Sequence, residues 1–154
     1  MRNLPKWLFR LMKIPPQVAY ALGLGPLIGR VVLLLITTGR KSGLKRVTPL
    51  QYEIIDGAYY LGSAYGVRAD WYRNIEANPC VEIRVKRLRF EGLAEPVTDL
   101  EQITDFLEYR LKQRPRFVGQ VMRSAGVPVN PSRDDIKAYA MESGLVIVRP
   151  LGDQ

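Results

Sequence analysis

The sequence predicts an α+β domain: an antiparallel barrel, or a strongly curled sheet, of about six strands, with peripheral helices and a helical N-terminal arm. Three observations carry this. Asp56-Gly57 stands between two strand-like runs, a strong short-range hairpin cue. Val81, Ile83 and Val85 alternate with Glu82, Arg84 and Lys86, the pattern of an antiparallel strand with one buried face. Finally, the strand-like runs follow one another with short connections and few helices between them, which suits a curled or closed antiparallel sheet.

In chain order, residues 1–30 read as a basic amphipathic arm and residues 31–154 as the barrel domain. Leu4, Trp7, Leu8 and Leu11 share one helical face, and Pro15-Pro16 ends that helix or starts the next. The run 17–29 is apolar, but Gly23, Gly25, Pro26 and Gly29 interrupt it and Arg30 follows. A membrane span needs about twenty apolar residues, so this run does not read as one, and it also fits a secretory signal poorly. The arm is expected either to lie on an anionic membrane surface or to pack on its own domain or a partner subunit.

Strands are expected over Val31–Thr38, Val47–Ile55, Ala58–Leu61, Val81–Val85, Leu88–Ala94 and Gly144–Arg149. Helices are expected over Asp70–Ala77, with Asp70 as N-cap, and after the capping-box sequence Thr98-Asp99-Leu100-Glu101. Two more are expected, over Arg116–Ala125 and after Ser132. The basic stretch Arg110–Arg116 reads as a solvated helix end.

Composition narrows the chemistry. The chain has 154 residues, enough for one domain that buries roughly 70% of its unfolded surface. With no histidine and one cysteine, Cys80, it can hold no internal disulfide, no histidine-based acid-base machinery and no Ser-His triad, and a transition-metal site is not expected. The lone cysteine suits a reducing, cytoplasmic compartment. The net charge of +8 is uneven: residues 1–52 hold nine Lys/Arg and no acid, whereas the remainder is near neutral. An anionic partner is therefore expected in the N-terminal third: a phosphate on a small ligand, an anionic membrane, or nucleic acid. Aromatics do not interleave with the basic run as stacking platforms would require, so nucleic acid is the weakest of the three.

Two segments concentrate the chemistry. Thr37–Arg46 packs four cations, two glycines and three hydroxyls into ten residues. Backbone amides and the side chains of Arg40, Lys41 and Arg46 can grip phosphate there, although alone the segment also suits a solvated hairpin loop. It is not a nucleotide P-loop, because the Gly-Lys-Ser order and the following helix are missing. In the second segment, Ser63 and Ala64 end a strand, Gly66 permits a close approach and Asp70 opens a helix. Trp71 and Tyr72 can wall a flat ligand and Asn74 can orient it; Trp71 and Ile75 can equally be core residues.

Together, Thr37-Thr38-Gly39-Arg40-Lys41-Ser42-Gly43 with Arg46 and Pro49, then Ser63, Gly66 and Trp71-Tyr72-Arg73-Asn74 through Ala77-Asn78-Pro79, resemble the deazaflavin-dependent nitroreductase family. The resemblance implies an FMN-binding-like split β-barrel and an oxidoreductase. In such a protein reduced coenzyme F-420 gives a hydride to an electron-poor acceptor such as a quinone, enone or nitro compound. By the same resemblance Arg40, Lys41, Ser42 and Arg46 hold the phosphate and acidic tail, while Pro49, Ser63, Ala64, Trp71 and Asn74 frame the ring. The chain departs at Tyr65-Gly66, where well-known members carry Lys-Gly; Arg68 can replace that charge, and FMN is the alternative cofactor. Tyr65, Tyr139 and Tyr109 are candidate proton donors. Homodimerisation is a family tendency. A non-catalytic lipid- or tetrapyrrole-binding protein on the same fold is the alternative to an enzyme.

Overall fold

In the computed structural model the described residues are 32–63 and 66–152, Ser63 by its backbone alone. The predicted arm of residues 1–30 lies outside them, as do Ala64 and Tyr65. Six strands form the barrel: β1 (Val32–Thr38), β2 (Lys45–Ile55), β3 (Ala58–Ser63), β4 (Cys80–Val85), β5 (Leu88–Val97) and β6 (Gly144–Pro150). They close in the order β1-β2-β3-β6-β5-β4, every neighbouring pair antiparallel. Closure rests on a short seam, Leu34↔Arg84, Leu35↔Ile83 and Ile36↔Glu82.

Local chemistry explains the hairpins. Asp56 and Gly57 both take positive φ, 51° and 78°, the tight turn whose twist matches its flanking strands. Alternation then sorts the side chains. Leu33, Leu35, Tyr52, Tyr59, Leu61, Val81, Ile83, Val85, Val146 and Val148 form one buried cluster inside the barrel. Each such aliphatic side chain contributes about 1.5–3 kcal/mol on burial.

Four helices follow. The first, α1 (Asp70–Ala77), comes directly after a single 3-10 turn at Gly66–Arg68; α2 (Leu100–Gln113), α3 (Pro115–Ser124) and α4 (Arg133–Met141) form an outer layer. α1 buries Trp71, Tyr72 and Ile75 into the barrel cluster. The outer helices pack Ile103, Phe106, Leu107, Met122, Ile136 and Ala140 against Ala58, Leu145 and Ile147. β6 is therefore buried on both faces.

The observed boundaries differ from expectation where tertiary contacts win. Ala69, not Asp70, is the N-cap of α1; Asp70 is its first helical residue and its carboxylate goes to Arg40 instead. Asp99, not Thr98, caps α2, accepting from the Glu101 amide at 2.9 Å. Ser132 caps α4 as expected, in a reciprocal box with Asp135. The solvated reading of Arg110–Arg116 fails at two of its residues. The Arg110 side chain is only 14% exposed and donates to Gln51 Oε1 at 2.9 Å; Arg114 Nε donates to Glu53 Oε1 at 3.0 Å. The buried Glu53 carboxylate on β2 needs counter-charge, and the last turn of α2 supplies it.

Candidate functional site

The loop joining β1 to β2 is closed by its own backbone: the Gly39 amide donates to Leu44 O at 2.7 Å and the Gly43 amide to Gly39 O at 2.8 Å. Gly43 takes φ +71°, which glycine adopts without steric cost. A Cβ on Gly39 would stand 2.8 Å from Ser42 Oγ and 3.5 Å from Arg46 Nε, so both polar groups converge over its bare Cα.

Arg40 pins this loop to α1. Its guanidinium donates to the Asp70 carboxylate at 3.1 Å, the Asp70 carbonyl at 3.4 Å and Asn74 Oδ1 at 3.0 Å, while its backbone amide reaches Asn74 Oδ1 at 3.2 Å. Asn74 Nδ2 in turn donates to the buried Thr37 hydroxyl at 3.2 Å. One buried amide thus fastens strand end, loop and helix, which is why the two motifs can sit some thirty residues apart and still meet. Thr37 and Asp70, which the motif reading did not weigh as site residues, complete the clamp.

The other cations are left bare. Among the described residues Lys41, Arg46 and Arg68 are exposed and form no ion pair, and Lys45 only reaches Glu82 at 3.8 Å. Gly66, at the turn into α1, has φ +61°, and a Cβ there would stand 2.6 Å from the Glu142 carbonyl oxygen. The site residues therefore separate into two kinds. Lys41, Ser42, Arg46 and Arg68 face solvent, whereas Trp71 and Asn74 are turned inward, 7% and 4% exposed.

Between these groups the barrel wall forks. The β2–β3 ladder ends at Tyr52↔Leu61. Beyond it, residues 45–51 of β2 pair only with β1, and Gly62 and Ser63 pair only with β6. Pro49 sits on the part of β2 that β3 does not pair, opposite Leu34 of β1, and has no N–H to leave unsatisfied. No described atom lies within 4 Å of where a Cβ on Gly62 would stand. At the closed end of the fork Gln51 meets Arg110. Burial pulls the Arg110 guanidinium below its ordinary value, while Glu53 and the nearby Tyr139 hold it up. Tyr139 itself is half-buried against the outer-layer cluster, and Tyr109 is exposed. Burial raises the Tyr52, Tyr59 and Tyr72 phenols. Among the described residues no group of three or more His, Cys, Asp or Glu could hold a metal ion, and no helix is long and apolar enough to cross a membrane.

A small closed antiparallel barrel whose wall forks beside a cationic loop is the class of scaffold that the chain presents. The family model described as F420H(2)-dependent quinone reductase matches residues 18–130, and the chain belongs to that family. An F420H(2)-dependent quinone reductase of Mycobacterium tuberculosis is 43% identical over 68 residues, covering 42% of this chain and 46% of the relative. The chain thus matches about half the length of that curated relative. Among solved structures, one described as an F420-H2 dependent reductase superposes with a TM-score of 0.53 at 22% identity, covering 78% of this chain and 95% of that one. A conserved hypothetical protein from Mycobacterium tuberculosis superposes with a TM-score of 0.56 at 16% identity, covering 87% and 89%. These likenesses establish the fold, the split barrel expected above.

Proposed function

We propose that the chain is an oxidoreductase in which reduced coenzyme F-420 gives a hydride to an electron-poor acceptor, a quinone ahead of an enone or a nitro compound. The observation that carries this reading is the set of unpaired cations Lys41 and Arg46, with Ser42, beside the fork, in a chain of this family. The residues fit the coenzyme: a phosphate and acidic tail need exposed, uncommitted positive charge, and a flat ring needs a slot.

Lys41, Ser42 and Arg46 hold the phosphate, and Arg68 meets the acidic tail. By the resemblance, Pro49, Ser63, Ala64, Tyr65 and Gly66 border the ring. Arg40 acts from behind, since its donors are engaged by Asp70 and Asn74. Trp71 and Asn74 fix the wall rather than line it. Bound there, the reduced coenzyme would supply the hydride, which with one proton turns a quinone into its hydroquinone. The chain's own work is to bind, orient and exclude water.

Titrating the purified protein with coenzyme F-420 in low salt should give micromolar or tighter binding, and no detectable binding would overturn the reading. FMN titrated alongside tests the other ring that shares phosphate and tricycle; tighter binding of FMN would move the assignment to a flavin reductase. The acid-free charge of residues 1–52 supports peripheral contact with an anionic membrane, checked by sedimentation with anionic vesicles before and after deletion of residues 1–16. Self-association is checked by analytical ultracentrifugation.

A further inference from the structure

We propose that the outer face of β1 and of the first half of β2 is a docking surface for this chain's own residues 18–30, so that the uncharged stretch before β1 belongs with the barrel domain. The inference is independent of the coenzyme reading. Leu33 and Leu35 point into the barrel cluster, and side chains alternate along a strand, so Val32, Leu34 and Ile36 point outward. Across the ladder Pro49 stands opposite Leu34, and Val47 opposite Ile36. These five make an apolar strip in which every residue is at least partly buried.

No described layer covers the strip. The outer helices include Ile55 of β2 in their cluster, and reach Glu53 and Gln51 through Arg114 and Arg110. No strip residue belongs to that cluster or to the barrel cluster. Yet Ile36 is 5% exposed, alone among the described buried apolar residues in belonging to neither. Its row neighbours, Val47 and Glu82, stand beside it on the sheet and not over it. An apolar sheet face is buried by a further layer, and Ile36 is buried within a single chain, so the cover belongs to this chain.

Residues 18–30 suit the position. They run into β1 at Val32, the first residue of the strip. From Val32 to Ile36 is four strand steps of about 3.3 Å, which about nine residues cover even at the helical rise of about 1.5 Å each. Ile14 to Gly29 carries no charge, whereas residues 1–13 hold four cations that the rim of Lys45, Arg84 and Arg89 around Glu82 would repel. The family match also begins at residue 18, within this segment and not at β1. Of the other residues outside the description, Ala64 and Tyr65 leave β3 beside β6, across β2 from the strip, and Asp153-Gln154 carry no apolar side chain.

The test uses the full chain carrying Val47→p-benzoylphenylalanine, a photocrosslinking side chain within the strip. Mass spectrometry should place the crosslink within residues 18–31 of the same chain, with and without phosphatidylglycerol vesicles. A crosslink to a second chain would give the strip to a dimer, and a lipid adduct would give it to a membrane; either overturns the proposal, as does a crosslink elsewhere in the chain or none. Hydroxyl-radical footprinting of the unsubstituted chain reads the same surface without a variant. Leu22, Leu24, Leu27 and Ile28 should react at least fivefold more slowly than Leu44, which is 62% exposed, and rates equal to that of Leu44 overturn the proposal.

Discussion

On the helical layer, Arg133 of α4 is enclosed by carboxylates of α2: Glu101 and Glu108 at 2.8 Å and Asp105 at 2.9 Å, with Lys137 joined to the same Glu101. Around the β1–β2 loop, Lys41, Arg46 and Arg68 have no such company among the described residues. Both regions are exposed and rich in cations, yet in one the fold surrounds its arginine with carboxylates, and in the other Lys41, Arg46 and Arg68 have no ion-pair partner among the described residues. The contrast separates charge that staples helices together from charge that the described fold leaves uncommitted. Arg40 stands between the two, a cation of the β1–β2 loop that is nonetheless committed to Asp70 and Asn74.

The contrast breaks most visibly in binding. Replacing Lys41 and Arg46 by alanine should weaken coenzyme binding by about 1.5–3 kcal/mol each, the size of hydrogen bonds to charged groups, with the melting temperature unchanged. Arg133→Ala should leave coenzyme affinity where it was. Equal losses from both regions in a fluorescence titration would dissolve the distinction. Next in size, Asn74→Ala strands the Arg40 amide and the Thr37 hydroxyl and should cost roughly 3 kcal/mol of stability in urea unfolding. Gly66→Ala meets both a positive φ and the Glu142 carbonyl, and about 2 kcal/mol is expected on the same assay.

The smallest effect is electrostatic. Burial pushes the Glu82 carboxyl up, but the hydrogen bond from Arg84 and the charges of Arg84 and Arg89 outweigh it, so its value lies below the ordinary one. A lowered folded value means stability that is present above the ordinary carboxylate range and lost as pH falls through the folded value. Glu82→Gln should therefore cost about 0.5 kcal/mol near neutrality, its partners being solvent-exposed, and the two proteins should converge in acid. Melting curves from pH 7 down to pH 3 would show parallel lines if the network contributes nothing.

Much of this architecture was legible in the sequence because it is local. Asp56-Gly57 needs only its two neighbours to make its turn, the alternation through Val81–Val85 is a property of six residues, and Ser132 finds Asp135 three residues on. The loop glycines likewise announce a tight turn. What the sequence concealed is long-range. Asp70 has the local chemistry of a cap, and only the fold brings Arg40 near enough to claim it. Trp71 carries equal promise as ligand wall and as core, and only the packing of α1 shows its side chain within the barrel cluster. Arg110 and Arg114 look like a solvated helix end until β2 places the buried Glu53 beside them, some sixty residues away in sequence. The fork leaves no local mark either, since it is a place where pairing stops.

The burial of β6 on both faces has a consequence for how the protein is made. Gly144–Pro150 slots between β3 and β5, the first half of the chain and the middle of it. As synthesis proceeds, the cationic loop, β3 and β5 exist long before β6, so β3 and β5 each present an unsatisfied edge until Gly144–Pro150 is made. The fork is defined by what β3 does not share with β2 and by what it shares with β6. The wall beside the fork therefore comes into being only when β6 is in place.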